Sequence, residues 1–221
     1  MKRTIVEPDP QKTRTFFDDY APDFDAIYGT VKSPWQSVIN RCFRKSMRLR
    51  YELCMRYCMP IEGKSVLDVG CGPGHYSIAL AKRGAASVYG IDFAPQMTEL
   101  ARTKAAEAGL QDVCRFETAD FFELEEGPLY DYVILMGFMD YMPDARAVVD
   151  NALSLTRNAC FFSFPVAGGI LALQRRLRYK NRCPLFLYSY EDIQKLFSQR
   201  QGFHYRIRKI ERDFWVHVSR A

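Results

Sequence analysis

The stretch that decides the fold is Val66-Leu67-Asp68-Val69-Gly70-Cys71-Gly72-Pro73-Gly74, followed by Gly90-Ile91-Asp92. In order, these segments predict a buried strand, a glycine turn, a helix and a second strand ending in a carboxylate. Glycine lets the backbone turn tightly and approach a ligand, because no Cβ intervenes. An ionised Asp92 offers only hydrogen-bond acceptors, which suits the two donors of a ribose diol. The pattern therefore predicts the nucleoside-binding half of a doubly wound α/β fold.

The spacing of the glycines distinguishes between kinds of nucleotide ligand. A dinucleotide fingerprint is G-x-G-x-x-G, whereas Gly70, Gly72 and Gly74 give G-x-G-x-G. Asp68, two residues before the first glycine, would repel a pyrophosphate but would suit a cationic ammonium or sulfonium. The spacing disfavours an NAD(P)-dependent oxidoreductase, which stays open as an alternative.

This arrangement resembles the class I S-adenosylmethionine (SAM)-dependent methyltransferases, whose first motif is hydrophobic-hydrophobic-D-x-G-x-G-x-G. The resemblance covers about residues 62–221 and is strongest from Val66 to Asp140. It implies a Rossmann-like, doubly wound, seven-stranded sheet, mostly parallel with a C-terminal antiparallel hairpin, and N-terminal helices that form a lid. It also implies an enzyme that transfers the methyl group of SAM and releases S-adenosylhomocysteine (SAH).

The resemblance implies a cofactor site built from several segments. In it, Asp92 binds the ribose and the pair Asp120–Phe121 meets the adenine. Two structural alternatives stay open: Asp92 could cap the helix that begins near Pro95, and Asp120–Phe121 could form a polar loop with one buried aromatic. The full implied set is Asp68, Gly70, Gly72, Gly74, Asp92, Phe93, Met97, Asp120, Phe121 and Met136.

Asp140 and Tyr141 follow the fourth predicted strand. They lie at the carboxyl edge of the sheet, where ligands bind in open α/β folds. We predict that they contact the methyl acceptor or supply a catalytic base; the alternative for Asp140 is a solvated loop position. The stretch lacks the Asn-Pro-Pro-Tyr type of sequence used by many nucleic-acid methyltransferases, which argues against DNA as a partner.

Two basic clusters bear on the acceptor. One follows a helix face, and the other crowds the segment 166–188 after the fifth predicted strand. The first consists of Arg41, Arg44, Lys45 and Arg48, and the second of Arg175, Arg176, Arg178, Lys180 and Arg182. In the family, these two regions often cover the acceptor, so we predict an anionic small-molecule or lipid-linked acceptor. The residues predicted to contact it are Tyr20, Tyr28, Arg44 and Arg178. Solvated surface charge, or a non-catalytic module that binds RNA or a membrane surface, are the alternatives.

Composition limits the class of protein. The chain has 221 residues, of which 48% are hydrophobic and 26% charged, and a net charge of +5, which is typical of a soluble globular protein. No apolar run approaches the roughly 20 residues that span a bilayer, and the N-terminus does not resemble a signal peptide. Seven cysteines without zinc-type spacing predict reduced thiols in a cytoplasmic protein and no metal site.

The predicted organisation is an N-terminal arm and helical lid over residues 1–60, then a SAM-binding domain over 61–221 with a lid insertion at 166–188. Helices are predicted at 13–28, 34–57, 75–83, 95–108, 143–156 and 190–200. Strands are predicted at 64–69, 86–91, 112–118, 131–137, 159–164, 203–211 and 213–219.

Overall fold

Helices and strands alternate in the computed structural model of the chain, which describes residues 34–124, 128–169, 172, 173, 175, 177 and 184–221, with side chains from residue 45 onward. The helices are α1 (Pro34–Tyr57), α2 (His75–Ala81), α3 (Pro95–Glu107), α4 (Ala145–Ser154) and α5 (Tyr190–Phe197). The strands are β1 (Ser65–Val69), β2 (Ser87–Asp92), β3 (Cys114–Thr118), β4 (Tyr130–Leu135), β5 (Thr156–Pro165), β6 (Phe203–Ile210) and β7 (Asp213–Arg220).

These strands form one seven-stranded sheet in the order β3-β2-β1-β4-β5-β7-β6. The first five strands pair in parallel, while β7 runs antiparallel to both β5 and β6. Val69 at the end of β1 pairs with Ile91 near the end of β2, so the glycine turn and Asp92 lie side by side. The predicted Rossmann-like sheet with its antiparallel hairpin is confirmed.

The central strands are apolar on both faces because helices cover both sides of the sheet. Successive residues of β1 point to opposite faces: Val66 packs in a cluster with residues of α1, α2 and α3, and Leu67 packs in a second cluster with residues of α4 and α5. The burial pattern of β4 and β5 is nearly continuous. The core therefore lies in two layers, which leave the carboxyl edge of the sheet to loops.

Predicted and observed bounds differ by three residues at the start of β5 and the end of α5, and by two residues at each end of α4. The helix begins at Ala145, two residues later than predicted, because the Asp144 side chain accepts hydrogen bonds from the N–H groups of Arg146 and Ala147 and caps it. Strand β4 ends at Leu135 rather than at 137. Gly137 has a φ of 82°, which turns the chain away from the strand direction.

Some predictions fall outside the described residues. The predicted helix at 13–28 and most of the N-terminal segment 1–60 do so, whereas α1 has the predicted bounds. The insertion 166–188 is described at residues 166–169, 172, 173, 175, 177 and 184–188. None of the described helices has both the length and the apolar character needed to cross a membrane.

Candidate cofactor and acceptor site

The glycine turn between β1 and α2 adopts a backbone that L side chains rarely take. Gly70, Gly72 and Gly74 have φ values of 66°, 52° and 77°, in the left-handed region that favours glycine. Cys71 donates its N–H to the carbonyl of Ile91 at 2.9 Å, which ties the turn to β2. A Cβ added to Gly72 would meet nothing within 4 Å, so this side of the turn is open to a ligand.

Asp92 holds the turn from the end of β2. Its Oδ2 accepts the N–H of Gly72 at 2.9 Å and its Oδ1 accepts the N–H of Ala94 at 3.0 Å. A carboxylate offers about four lone-pair sites, so both oxygens can still accept ribose hydroxyls. The N-cap residue of α3 is Ala94, with no side-chain cap; Asp92 therefore stabilises the approach to α3 rather than capping it.

Asp68 at the end of β1 is a buried carboxylate. Only 2% of the residue is exposed, and its Oδ2 accepts a hydrogen bond from Ser77 Oγ at 2.6 Å. The pKa of Asp68 is raised to about 6, chiefly by burial and also by the nearby Asp92, although the hydrogen bonds from Ser77 oppose the shift. Within the described part of the chain, no lysine or arginine forms an ion pair with it. A bound cation would favour its ionised form.

The predicted adenine loop is held by its own backbone. Asp120 is exposed and accepts the N–H of Phe122 at 2.9 Å, while the Asn151 amide donates to the carbonyl of Phe121 at 3.0 Å. The Phe121 side chain is 3% exposed, as the buried-aromatic alternative expects. The loop therefore offers its backbone, the Asp120 carboxylate and the half-exposed Phe122 ring to a ligand.

Phe138 belongs to the same region, and sequence reasoning missed it. A Cβ on Gly70 would lie 2.8 Å from Cδ2 of Phe138, and the Phe138 ring packs edge-on against Phe121 with centroids 5.9 Å apart. This half-buried ring thus joins the glycine turn to the adenine loop. No local pattern could have found it, because its partners lie 68 and 17 residues earlier in the chain.

Three further predicted cofactor residues have different surroundings. Met97 is 1% exposed and its N–H donates to the carbonyl of Ala94 at 3.1 Å. Phe93 and Met136 are partly buried, and Met136 packs against the α1–α3 side of the core. Met97 is thus part of the packing under the β2–α3 turn.

Asp140 is buried beneath the insertion. The residue is 3% exposed; its Oδ2 accepts from Arg175 Nη2, and its carbonyl accepts the N–H of Phe186 at 2.8 Å. Burial raises the pKa of Asp140, although Arg175 opposes the shift. Oδ1 has no hydrogen-bond partner. The solvated-loop alternative does not describe this residue; its neighbour Tyr141 is half-buried.

The basic clusters are only partly described. Lys45 and Arg48 are exposed and form surface ion pairs with Glu211 and Glu52, each at 2.6 Å. Arg175, by contrast, points into the protein and is 7% exposed. The predicted acceptor contacts Tyr20, Tyr28 and Arg178, and the side chain of Arg44, lie outside the described residues.

Arg50 is a buried cation that sequence reasoning also missed. Its Nη1 donates to Ser163 Oγ at 3.1 Å and would lie 3.5 Å from a Cβ at Gly137. Ser163 Oγ accepts the N–H of Gly137 at 2.7 Å as well. Burial alone would lower the pKa of Arg50, but Asp213 and the first-turn residue Tyr76 of α2 offset this and the pKa is raised. Its place among the many basic residues of α1 gave no signal of burial.

No group of three or more histidine, cysteine, aspartate and glutamate side chains in the described residues could hold a metal ion.

Sequence comparisons place the glycine turn in a known domain. A family model described as a methyltransferase domain matches residues 66–159. Ubiquinone biosynthesis O-methyltransferase from Xylella fastidiosa is 36% identical over 99 residues, which are 45% of this chain and 40% of that protein. The Neisseria meningitidis protein of the same name is 39% identical over 107 residues, 47% of this chain and 44% of its own. The match thus spans about two fifths of the length of these curated relatives.

Solved structures share the fold of the chain's described residues. Magnesium protoporphyrin IX methyltransferase from Synechocystis PCC 6803, with bound SAH, has a TM-score of 0.75 at 24% identity and covers 96% of this chain and 100% of its own. The complex of DhpI with SAM and HEP has a TM-score of 0.66 at 16% identity, with 99% and 100% coverage. Residues 66–159 therefore match a methyltransferase domain, and they lie in a chain that has the fold of a solved methyltransferase.

Proposed function

We propose that the chain transfers the methyl group of SAM to a hydroxyl of an anionic small-molecule or lipid-linked acceptor. The observation that carries the cofactor half is the junction of Asp92 with Gly72, where a carboxylate and an open, Cβ-free turn meet at 2.9 Å. The ribose would bind to Asp92, and the adenine would lie along the loop at Asp120 and Phe121, beside the Phe138 ring.

The amino-acid end of SAM carries an ammonium, a sulfonium and a carboxylate. Asp68 is a buried carboxylate without a cationic partner among the described residues, and it suits the positive groups. Arg50 suits the carboxylate, because guanidinium binds carboxylate in a planar, two-bonded geometry. It lies near Gly137 and near Tyr76 in the first turn of α2. The cofactor would pass beside both.

The acceptor half is supported by the names of the relatives and by Asp140. The matched relatives are named O-methyltransferases, which favours a hydroxyl acceptor here. Arg175 holds Oδ2 of Asp140, while Oδ1 has no hydrogen-bond partner and could accept the hydroxyl proton. A positioned base contributes about 10²–10⁴-fold, and orientation of the two reactants supplies up to about 7–11 kcal/mol of the barrier.

Calorimetry with SAM, SAH and NADH tests the cofactor half. Asp92→Ala removes the ribose acceptor, and each hydrogen bond to a charged group is worth about 1.5–3 kcal/mol, so SAH affinity should fall at least about tenfold. Asp144→Ala is the matched control, because Asp144 also accepts two backbone N–H groups, at the start of α4. It should lower stability but leave SAH affinity unchanged. Tight NADH binding, or full SAH affinity in Asp92→Ala, would overturn the assignment.

Methyl transfer from radiolabelled SAM tests the acceptor half. A dihydroxybenzoate, its polyprenylated derivative and uncharged catechol form a suitable panel, because they differ in charge and lipid character but share the phenol. We expect transfer to the anionic members and less to catechol. Asp140→Asn should reduce the turnover number while SAH affinity is kept. A preference for catechol would contradict the anionic acceptor without affecting the cofactor assignment.

A further inference from the structure

Four buried charges form a continuous chain above the carboxyl edge of the sheet. In order they are Arg50 of α1, Asp213 at the start of β7, Arg175 of the insertion and Asp140 after β4. Each is no more than 7% exposed. Arg175 bonds both carboxylates: its Nη1 lies 3.0 Å from Asp213 Oδ1, and its Nη2 donates to Asp140 Oδ2. These side chains thus link segments that lie far apart in the sequence.

Both carboxylate oxygens of Asp213 accept hydrogen bonds from residues other than Arg50. Oδ1 takes Arg175, and Oδ2 takes Ser46 Oγ at 2.5 Å. The nearest approach to Arg50 is from Oδ2 to Nε, at 3.6 Å, which is longer than a hydrogen bond. Asp213 therefore attracts Arg50 by charge but does not take up its hydrogen-bond donors.

Arg50 in consequence keeps donors to spare. Nε has no hydrogen-bond partner, and in the part of the chain that the structure describes only Nη1 donates a bond, to Ser163. A buried guanidinium with unused donors is costly unless a ligand completes its bonds. A carboxylate is the ligand that fits, since its two oxygens match the guanidinium fork.

We propose that Asp213, itself held by Arg175 of the insertion, is a positioning residue that keeps Arg50 oriented for the carboxylate of SAM. Through this link Arg175 of the insertion adds to cofactor affinity. The inference rests on the proposed function and adds to it a dependence of cofactor binding on a residue far along the chain. Without Arg175, Asp213 is free to turn its Oδ1 toward Arg50 and occupy the donors that the ligand needs.

The test compares two ligands that differ in the carboxylate. SAH has the amino-acid part, and 5′-methylthioadenosine has the same adenosine and sulfur but no carboxylate. Calorimetry on Asp213→Asn and Arg175→Gln should show SAH affinity lowered about tenfold, the loss of one charged hydrogen bond, with the affinity for 5′-methylthioadenosine unchanged. A variant that merely unfolds the site would lose both ligands equally, so the ratio of the two affinities isolates the positioning role.

Asp131→Asn serves as the matched control. Asp131 is also a buried carboxylate, 6% exposed, with Lys64 and Arg157 as ion-pair partners, but it lies at the start of β4, on the opposite edge of the sheet. Its ratio of affinities should equal that of the wild type. An unchanged ratio in both Asp213→Asn and Arg175→Gln would overturn the inference and leave the methyltransferase assignment intact. Failure of the wild type to bind SAH would overturn the assignment itself.

Discussion

At the scale of single residues, the two aspartates at the ends of β1 and β2 have different tasks. Asp92 accepts two backbone N–H groups and fixes the geometry of the turn. Asp68 accepts from one serine hydroxyl, and burial raises its pKa to about 6. Asp92 thus already accepts a hydrogen bond on each oxygen, whereas Asp68 gains a charged partner when a cation binds.

The raised pKa of Asp68 predicts how SAM binding depends on pH. SAM, a cation at sulfur, binds the ionised carboxylate, so its affinity should fall as the pH drops from 7 through about 6, by up to about tenfold per pH unit. In the free protein the sign is opposite, because the pKa of Asp68 is higher in the folded chain than in the unfolded chain. The free energy of unfolding therefore falls as the pH rises from the unfolded-state pKa through about 6.

Calorimetry between pH 5 and 8 measures this dependence. Asp68→Asn keeps the size of the side chain but cannot titrate, so its SAM affinity should be weak and flat over the same range. A wild-type affinity that does not change between pH 7 and pH 5 would count against the role of Asp68.

At the scale of elements, the glycine turn joins a strand, a helix and the ligand-facing surface. Its backbone needs glycine at three alternate positions, but each position has different surroundings. Gly70 lies under the Phe138 ring, whereas space beside Gly72 is open. Replacing Gly72 therefore tests ligand approach, and replacing Gly70 would first test packing.

Gly72→Ala should abolish SAH binding at a modest cost in stability. Alanine in the left-handed region costs about 1–2 kcal/mol, and the added methyl would occupy the ligand side of the turn. Gly109→Ala is the control: Gly109, just after α3, has a φ of 68° and equally open space. Urea unfolding should show similar losses for both variants, and calorimetry should show lost SAH binding in Gly72→Ala alone. Equal SAH affinities would place the ligand elsewhere.

At the scale of the whole molecule, the buried charges join four segments: α1, the loop after β4, the insertion and the β6–β7 hairpin. Arg175 pairs with two carboxylates at once. Breaking a buried ion pair by removing one partner typically costs about 3–5 kcal/mol, because the other charge stays buried and unpaired. The cluster therefore contributes to the stability of the assembled fold as well as to its site.

Arg175→Met should lower the free energy of unfolding by about 3–5 kcal/mol. The double variant Arg175→Met/Asp140→Asn should recover part of that loss, because it also removes one of the two stranded carboxylates. Urea unfolding of both variants at pH 7 measures the difference. A double variant less stable than Arg175→Met would show that Asp140 does not depend on the arginine.

The sequence predicts those parts of the molecule whose signals are local. The aspartate–glycine motif predicts the turn, and Pro34 suits the first turn of a helix, which α1 confirms. The buried charges gave no such signal: Ser46 and Asp213 are 167 residues apart, and an arginine that will be buried has no sequence mark that separates it from an exposed one. Phe138 was missed for the same reason.

The order of strands at one end of the sheet also has a consequence for biosynthesis. Strand β6 leaves the ribosome before β7, the strand with which it pairs in the described sheet. Its apolar residues Phe203, Tyr205 and Ile207 therefore cannot complete their packing until β7 has been synthesised. Asp213 likewise follows Ser46 by 167 residues, on the order of ten seconds of translation or more. During that interval Arg50 lacks its counter-ion Asp213. The growing chain can therefore complete the strands around the glycine turn early, but under the positioning role proposed for Asp213 it binds SAM tightly only after the hairpin docks.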